Sequence, residues 1–316
     1  MDFLFDAVLN TFSSTALAVI AALLLDRWLG EPQSWHPLIW FGQWVDRCRL
    51  AWQLPVGASK LLQRLHGLIA WSIAVLPWLM VLTLLLWMLP NWLEWIAGTV
   101  LLYFTIGWQS LREHAIAIAK PLHEQDLPAA RAAVGRIVSR DTSELNETQI
   151  AKASMESVLE NGSDAIFAPI FWFMLLGPFG ALLYRLSNTL DAMWGYKTPQ
   201  LLHFGWCAAR VDDVLNSVPA RLVVLTYAAL GNVKRALYCA WHQGRGWKSP
   251  NAGPVMAAGA GALQVSLGGS AVYFGVVQVR PVLGEGPEPV VNDLDQAVRL
   301  VDRGVMLWAL LIVLVM

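Results

Sequence analysis

Three carboxylates stand four residues apart directly before an apolar run. Glu156, Glu160 and Asp164 lie in the stretch "MESVLENGSDAIFAPIFWFMLL". On a helix this spacing places them on roughly one face, with a drift of about 40° per step. Acids placed in this way repel one another, and beside a membrane segment they also lose solvation. The pattern therefore indicates a functional face, with a solvated helix face as the alternative.

Two further segments combine acids and amides at helical spacing. Asn188 and Asp191 lie three residues apart in "NTLDAMWGYK", and Asp212 and Asn216 lie four apart in "ARVDDVLNSVPAR", which also contains Asp213. Carboxylate and amide oxygens are the ligands that Mg²⁺ takes in proteins, usually with phosphate and water. These pairs predict a site for a divalent metal, with ion pairing inside the membrane as the alternative.

Basic and amide side chains accompany these acids and suit the binding of phosphate or carboxylate groups. The candidates are Arg140, Asn161, Asn188, Lys197, Arg210, Asn216, Arg221 and Asn251. Asn251 lies in "SPNAG", where backbone N–H groups at a helix start would attract anions. The hydroxyls of "SRDTSEL" around Arg140 could instead cap a helix. His36, before Pro37, is a weaker binding candidate, because a lone histidine is more often structural.

Composition identifies the class of protein in which these residues act. Of 316 residues, 56% are hydrophobic and only 14% are charged, and 17 are Trp. Soluble domains have nearly twice that charged fraction, so a membrane protein is predicted. The net charge of −1 argues against a nucleic-acid partner. The three cysteines have neither disulfide nor zinc spacing, and "MDFLFDAVLN" lacks the basic start of a cleaved signal peptide.

Apolar stretches and the distribution of Lys and Arg predict the topology. We expect spans at about 3–25, 68–89, 95–110 and 298–316. Segments 26–67 and 110–164 carry most of the basic residues, which places them in the cytoplasm. The run at 165–184 is interrupted by Pro169 and by "GPFG", so we predict a re-entrant helical hairpin there. The whole chain, 1–316, is predicted to be one all-α polytopic integral membrane domain whose cytoplasmic helices carry the site.

Beyond that run the expected elements are shorter. Pro219 is predicted to break the helix that carries Asp212, and "SAVYFGVVQVR" is the one stretch that could form a β-hairpin arm. The small residues of "GAGAL" favour close helix packing over a phosphate site. The sequence has no GxxxxGK[ST] motif, which argues against a P-loop nucleotide site.

Several of these motifs together resemble one known family. "GEPQSWHPLIWFG", "SRDTSEL", "ESVLENGSDAIFAPIFW", "NTLDAMWGYK", "ARVDDVLNSVPARL" and "SPNAGPVMAAGAGAL" occur in the order found in the CobD/CbiB family of cobalamin biosynthesis. The resemblance covers the chain from about Leu25 to Gly284. It implies an adenosylcobinamide-phosphate synthase of the bacterial inner membrane, a multi-pass protein whose active site faces the cytoplasm.

The resemblance also implies a reaction. The enzyme would join a carboxylate of adenosylcobyric acid to the amine of aminopropanol or its O-phosphate, with ATP activating the carboxylate and Mg²⁺ neutralising phosphate charge. The expected metal ligands are Glu160, Asp164, Asp191 and Asp212. With Glu156 and Asp213 these acids would form the catalytic set, one of them serving as a base. The arginines, Lys197 and the asparagines would hold and orient phosphate groups.

Two other classes of function stay open. A non-catalytic membrane sensor or regulator could share the fold, although such a relative would be expected to lose the acidic and arginine motifs. A transporter would also combine a broken apolar run with buried polar groups, but no matching halves are visible. Besides the small-molecule substrates, the predicted partners are the lipid bilayer and either a second copy or other corrinoid-pathway membrane enzymes.

Overall fold

A computed structural model describes residues 2–32, 35–273 and 275–315, so two residues of the turn at 30–37, Gln33 and Ser34, lie outside it. The chain forms two compact units. The first contains the residues up to Gly107, Ala168–Asn216 and the residues from Val313. The second contains Trp108–Phe167 and Ser217–Ile312.

The fold is almost entirely helical. In chain order the helices are α1 (Asp2–Leu29), α2 (Pro37–Trp52), α3 (Lys60–Met88), α4 (Asn91–Thr105), α5 (Trp108–His123), α6 (Leu127–Val134), α7 (Glu147–Gly162), α8 (Ala168–Trp194), α9 (Trp206–Leu230), α10 (Val233–His242), α11 (Ala252–Leu263) and α12 (Val291–Val315). A π-helical turn, Ser163–Phe167, joins α7 to α8, and a short 3₁₀ turn, Gly244–Gly246, follows α10.

Four short strands complete the second unit. They are β1 (Leu267–Gly268), β2 (Ala271–Tyr273), β3 (Val276–Gln278) and β4 (Val282–Leu283). Antiparallel pairing of β2 with β3 confirms the predicted hairpin arm, although Phe274 at its turn lies outside the described residues. β1 pairs with β4 in the same sense. The all-α prediction therefore holds apart from these four strands.

Two helical segments among the described residues are long and apolar enough to cross a membrane. They are Lys60–Met88, which contains an 18-residue stretch of mean hydropathy 2.3, and Glu147–Trp194, which contains one of 2.0. The second segment is kinked at Gly177. The first contains the predicted span at 68–89 and starts at the N-cap Ser59, whose hydroxyl accepts from the N–H of Leu62. The second contains the run at 165–184, predicted as a re-entrant hairpin, so among the described residues one of the four predicted spans coincides with a candidate.

The other predicted spans coincide with helices whose ends differ from expectation. The helix predicted at 95–110 is α4, which begins at Asn91 and ends at Thr105. Its 15 residues are fewer than the roughly 20 that a straight span needs. The last predicted span, 298–316, lies in α12, which begins at Val291 and so includes residues before the span. Asp293 and Asp295 lie in its first two turns and keep those residues out of the apolar stretch.

The first unit packs α2, α3 and α8 around a shared apolar core. Phe41, Val75 and Leu190 are buried in it, together with Trp194 and Phe204. Gly67 on α3 lets the backbone of Phe204 approach, because a methyl group there would overlap its carbonyl. This core fixes the end of α8, and with it the segment "NTLDAMWGYK".

Helix α8 is sharply kinked at Gly177, where φ is 62° and ψ is −152°. Only glycine adopts this conformation without strain. Pro178 follows, and a methyl group on Gly180 would overlap the carbonyl of Trp172, eight residues earlier. Residues eight apart in a straight helix are separated by about 12 Å. The two halves of α8 therefore fold back against each other at Gly177.

The predicted helix break at Pro219 is wrong, because α9 continues through it to Leu230. A proline in a helix leaves the carbonyl four residues earlier without its usual N–H donor. Here that carbonyl belongs to Leu215, and it accepts a hydrogen bond from the Trp172 indole at 3.0 Å. This replacement donor offsets part of the hydrogen-bond loss that proline causes inside the helix.

Local signals in the second unit position the acidic helix α7. Its first turn is closed by Asn146, which accepts from the N–H of Gln149, while the Gln149 side chain accepts in return. The cap is therefore Asn146, not the hydroxyls of residues 139–142. Close packing at "GAGAL" is confirmed, since a methyl group at Gly261 would meet the backbone of Arg235 and Ala236 on α10.

Candidate functional site

A buried carboxylate with two amide neighbours forms the centre of the candidate site in the first unit. Asp212 on α9 is 8% exposed, and its carboxylate accepts from Asn188 at 3.1 Å and from Asn216 at 3.2 and 3.3 Å. The Oδ1 atom of Asn216 accepts in turn from the Tyr184 hydroxyl at 2.9 Å. Burial raises the pKa of Asp212, although both amide donors oppose this. The structure thus brings the two predicted Asp/Asn segments into contact through the Asn188–Asp212 hydrogen bond.

Asp191 and Asp213 belong to the same unit. Gly195 lies one turn after Asp191, and a methyl group there would overlap its Oδ1 atom, so the glycine makes room for this carboxylate. Asp213 accepts from Arg210 at 2.9 Å, and the charge of Lys197 also acts on it. Burial raises the pKa of Asp213, and both cations oppose the rise. Arg210 thus contacts Asp213 and Lys197 lies close enough for its charge to act on it, while the phosphate-binding roles of both cations stay predictions.

A second charged cluster lies in the second unit, around Glu156. Its Oε2 accepts from Arg140 and, at 2.9 Å, from Arg280, and its Oε1 accepts from the N–H of Gly268 at 2.9 Å. All three charged side chains are less than 10% exposed. Arg280 also donates to the carbonyl of Gly269 and stacks over the Trp247 ring at 4.9 Å. We refer to Arg140, Glu156 and Arg280 as the arginine–glutamate cluster.

This geometry gives Glu156 a structural role. Both of its oxygens already accept from buried donors, so few lone pairs are left for a metal or a proton. Arg140 differs, because its Nε–H is buried and has no acceptor among the described residues. A buried donor without a partner is costly, and a substrate oxygen would satisfy it. The binding role of Arg140 stays a prediction, with this Nε–H as the group that would contact a substrate.

The rest of the acidic face is reshaped by the π-helical turn. Glu160 lies on α7, whereas Asp164 lies inside Ser163–Phe167. The wider turn changes the angle between these two acids, so the regular face predicted from four-residue spacing ends at Glu160. Such insertions are frequent at functional sites. Asn161 is held by Ser157, to whose carbonyl it donates at 2.9 Å.

Two buried polar residues of the second unit were not singled out by the sequence. Arg280 is the last residue of the predicted hairpin stretch "SAVYFGVVQVR", and its only signal is that it is a lone cation in an apolar stretch. Ser163 is 1% exposed, and its hydroxyl has no partner among the described residues. It lies beside Asp164 in the π-helical turn, and nothing in the sequence marks it.

Arg221 and Asn251 lie together at the start of α11. Arg221 donates to the Asn251 side chain and, at 3.1 Å, to the carbonyl of Pro250. The Ser249 hydroxyl accepts from the N–H groups of Asn251 and Ala252. The Ser249 side chain thus occupies first-turn donors that the phosphate-cradle prediction would use, which leaves the Arg221 guanidinium as the cationic group at this end.

His36 is the N-cap of α2, which confirms its structural alternative. Its Nδ1 accepts from the N–H of Leu38 at 3.1 Å, and its Nε2 lies 3.6 Å from the Glu31 carboxylate. Burial lowers the pKa of His36, although the Glu31 charge opposes this. The imidazole is therefore held neutral, as an acceptor at Nδ1 must be.

The cap predicts a specific dependence of stability on pH. Because the pKa of His36 is lowered on folding, the unfolded chain takes up more protons below about pH 6.5, and stability falls as the pH falls. His36→Asn keeps a side-chain acceptor but does not titrate. Thermal unfolding between pH 7.5 and 5.5 should show a shallower loss for the variant, by up to about 1 kcal/mol per pH unit. Equal slopes would contradict the assignment.

The candidate residues thus assemble into separate groups. Asn188, Asp212 and Asn216 meet in the first unit, as do Arg210 and Asp213, while Arg140 meets Glu156 and Arg221 meets Asn251 in the second. Among the described ranges, no three His, Cys, Asp or Glu side chains come together as a cation site. A metal here would need amide and substrate oxygens in addition to carboxylates.

Comparison with known proteins adds independent information. The sequence pattern of the family described as CobD/Cbib protein matches residues 19–301. The chain is 54% identical over 302 residues to "Cobalamin biosynthesis protein CobD" of Stutzerimonas stutzeri (strain A1501), which covers 95% of this chain and 97% of the relative. A protein of the same name from Rhodobacter capsulatus is 37% identical over 309 residues, with the same coverage. No solved structure matches.

Proposed function

Since this chain belongs to the CobD/CbiB family and acts in cobalamin biosynthesis, we propose that it is the adenosylcobinamide-phosphate synthase of that pathway. The proposed reaction joins a carboxylate of adenosylcobyric acid to the amine of aminopropanol or its O-phosphate. One amide bond forms, and ATP is converted to ADP and phosphate. The observation that carries the proposal is the buried Asp212 carboxylate with its two amide neighbours.

The residues around Asp212 fit a divalent metal by chemical type. Carboxylates of Asp191 and Asp212 and the amide oxygen of Asn188 are hard donors of the kind Mg²⁺ prefers. Gly195 accommodates the Asp191 carboxylate, whose Oδ1 lies where a side chain at residue 195 would begin. When bound, the metal would supply positive charge beside the phosphate groups of ATP. Glu160 and Asp164, which the sequence also predicts as ligands, belong to the second unit, and their role stays a prediction.

The chain's own residues perform the remaining tasks in this proposal. The substrate amine arrives as an ammonium and must lose a proton before it attacks. Asp213 is a suitable base, because burial raises its pKa above that of an exposed carboxylate. Lys197 and Arg210, beside Asp213, would hold anionic oxygens. The free Nε–H of Arg140 and the guanidinium of Arg221 offer two further anion-binding groups.

Placement in the membrane forms part of the same proposal. We place the protein in the bacterial inner membrane, with about four spans and the candidate residues facing the cytoplasm. The run at 165–184 enters from the cytoplasmic side and returns, and the fold-back at Gly177 supports this path. A large corrinoid could then reach the protein from the cytoplasm or along the membrane surface.

The re-entrant path predicts which side of the membrane residue 199 occupies. Pro199 follows α8 and is exposed. In intact cells, Pro199→Cys should resist a membrane-impermeant thiol reagent and react only after permeabilisation. Glu124→Cys serves as the internal control and Asn91→Cys as the external one. Labelling of Pro199→Cys from outside would show that residues 165–184 cross the bilayer.

The function itself is tested with purified, detergent-solubilised protein. Adenosylcobyric acid, aminopropanol phosphate, ATP and Mg²⁺ are supplied together, and each is then omitted in turn. We expect a cobinamide phosphate product that requires all four. A product formed from free aminopropanol as well would show that the phosphate is dispensable.

Absence of product from folded protein would favour the regulator alternative. The carboxylates would then belong to a ligand-sensing site, and binding of corrinoid without turnover should be measurable by calorimetry. Uptake of corrinoid by proteoliposomes, without chemical change, would favour a transporter.

A further inference from the structure

Helix α10 exposes its large apolar side chains and buries its small ones. Its buried side consists of small residues, Ala236, Cys239 and Ala240, which let it pack closely on α11. Its outward side carries Leu237 and Trp241, which are 40% and 62% exposed. Val233 and Tyr238 are exposed on the same side. A soluble helix would have the reverse arrangement.

The β2–β3 hairpin in the same unit shows a similar pattern. Val276, Val277 and Val279 are more than 60% exposed. The segment between α10 and α11 connects the hairpin to the helix through two contacts. Arg245 stacks over the Trp241 ring at 3.6 Å, and Lys248 donates to Gln278 on β3. The outward face of α10, the segment 244–248 and β3 therefore form a continuous surface, which we call the α10–β3 surface.

The charge of this surface has one sign. Between Asp213 and Glu285 the sequence contains no Asp or Glu, but six Lys and Arg residues. Two of these are held by contacts already described: Arg221 donates to Asn251 and Arg280 to Glu156. The other four are exposed and lie in or beside α10: Lys234, Arg235, Arg245 and Lys248. Among the described residues none of the four forms a salt bridge with a carboxylate.

From these observations we infer that the α10–β3 surface lies against the headgroup layer of the membrane and binds anionic phospholipid. Exposed Trp, Tyr and aliphatic side chains among Lys and Arg are the pattern of helices that lie in the interface. The lack of acids favours anionic over zwitterionic lipid, because each cation near such a surface is attracted to it. A protein partner with an apolar, acidic surface is the competing occupant.

The inference can be tested with a fluorophore on the outward face of α10. Leu237→Cys would be labelled with a small environment-sensitive dye, since the three native thiols are buried. The labelled full-length protein is reconstituted in phosphatidylcholine and phosphatidylglycerol at a ratio of about three to one. Emission is then quenched by a nitroxide placed near the headgroup on one lipid or on the other.

Stronger quenching by the anionic lipid is the expected result. Phosphatidylglycerol should be enriched around the dye by about fivefold, the factor that a single lysine or arginine contributes at such a surface. Arg245→Gln combined with Lys248→Gln should reduce this preference. Met80→Cys, on the apolar span α3, is the matched control and should be quenched equally by both lipids. If Leu237→Cys does not fold, Val277→Cys on β3 provides the same measurement.

Two outcomes would overturn the inference. Absence of quenching by either lipid would show that α10 faces water or is covered by a protein. Equal quenching by both lipids would show apolar contact with the bilayer but no selection of the headgroup. Neither outcome bears on the proposed ligase activity, since the α10–β3 surface contains none of its residues.

Discussion

Replacing Asp212 with asparagine should lower the rate of amide formation by about 100-fold or more, while the protein stays folded. Asparagine matches the shape of aspartate but has one acceptor oxygen and no charge. The variant can keep a hydrogen bond with Asn188 or Asn216, but it loses the negative charge that we assign to the metal. The measurement is steady-state turnover of the purified variant at saturating ATP over a range of Mg²⁺ concentrations.

A matched control separates this effect from a general effect of charge. Asp46→Asn removes one carboxylate from α2, where Asp46 is exposed and lies 3.5 Å from Arg49. This variant should keep the activity of the wild type. If Asp212→Asn also kept full activity, Asp212 would not be a metal ligand and the site would have to be sought elsewhere. Rescue of Asp212→Asn by excess Mg²⁺ would instead support weakened metal binding.

Glu156→Gln should destabilise the protein by about 3–5 kcal/mol, since removing one partner leaves buried charges uncompensated. In this case two guanidinium groups, those of Arg140 and Arg280, would lose their only ionic partner in the arginine–glutamate cluster. The measurement is unfolding of the detergent-purified variant by heat and by denaturant. We expect a large drop in both midpoints.

Glu288→Gln is the control for this prediction, because it makes the same chemical change at the surface. Glu288 pairs with Lys152 at 2.6 Å but is 67% exposed, so about 1 kcal/mol or less should be lost. Equal stability of Glu156→Gln and the wild type would contradict a structural role for Glu156.

A triple variant distinguishes the stabilising role of the arginine–glutamate cluster from substrate binding by Arg140. With Glu156→Leu, Arg140→Met and Arg280→Met combined, no charge is left uncompensated, so much of the stability lost in Glu156→Gln should return. Activity should remain low, because the free Nε–H of Arg140 is lost with its side chain. Recovered activity would show that Arg140 does not bind substrate.

The parts of the site that were predictable depend on helical periodicity. Asp212 and Asn216 lie one turn apart, so their meeting followed from the spacing alone. The pairing of these residues with Asn188 is tertiary, yet it was anticipated because both segments offer the same uncommon side chains. The hairpin arm at β2–β3 was likewise visible as alternating β-branched residues between turns.

The rest depended on contacts or local geometry that spacing does not reveal. Glu156 and Arg280 are 124 residues apart, so no local pattern links them. The π-helical turn after Gly162 contains more residues per turn than an α-helix, and no residue type predicts it. At Pro219 the local rule predicted a break, but the Trp172 indole, distant in sequence, donates to the Leu215 carbonyl that proline leaves without its helical donor. Tertiary partners override local rules in each of these cases.

The arginine–glutamate cluster is also completed late in the synthesis of the protein. Arg140 and Glu156 leave the ribosome close together, but Arg280 follows 124 residues after Glu156, or about 6 to 25 seconds later at typical translation rates. During this interval Glu156 lacks one of its two guanidinium partners and the N–H of Gly268. The arginine–glutamate cluster therefore becomes complete only after the elements up to α11 have been made.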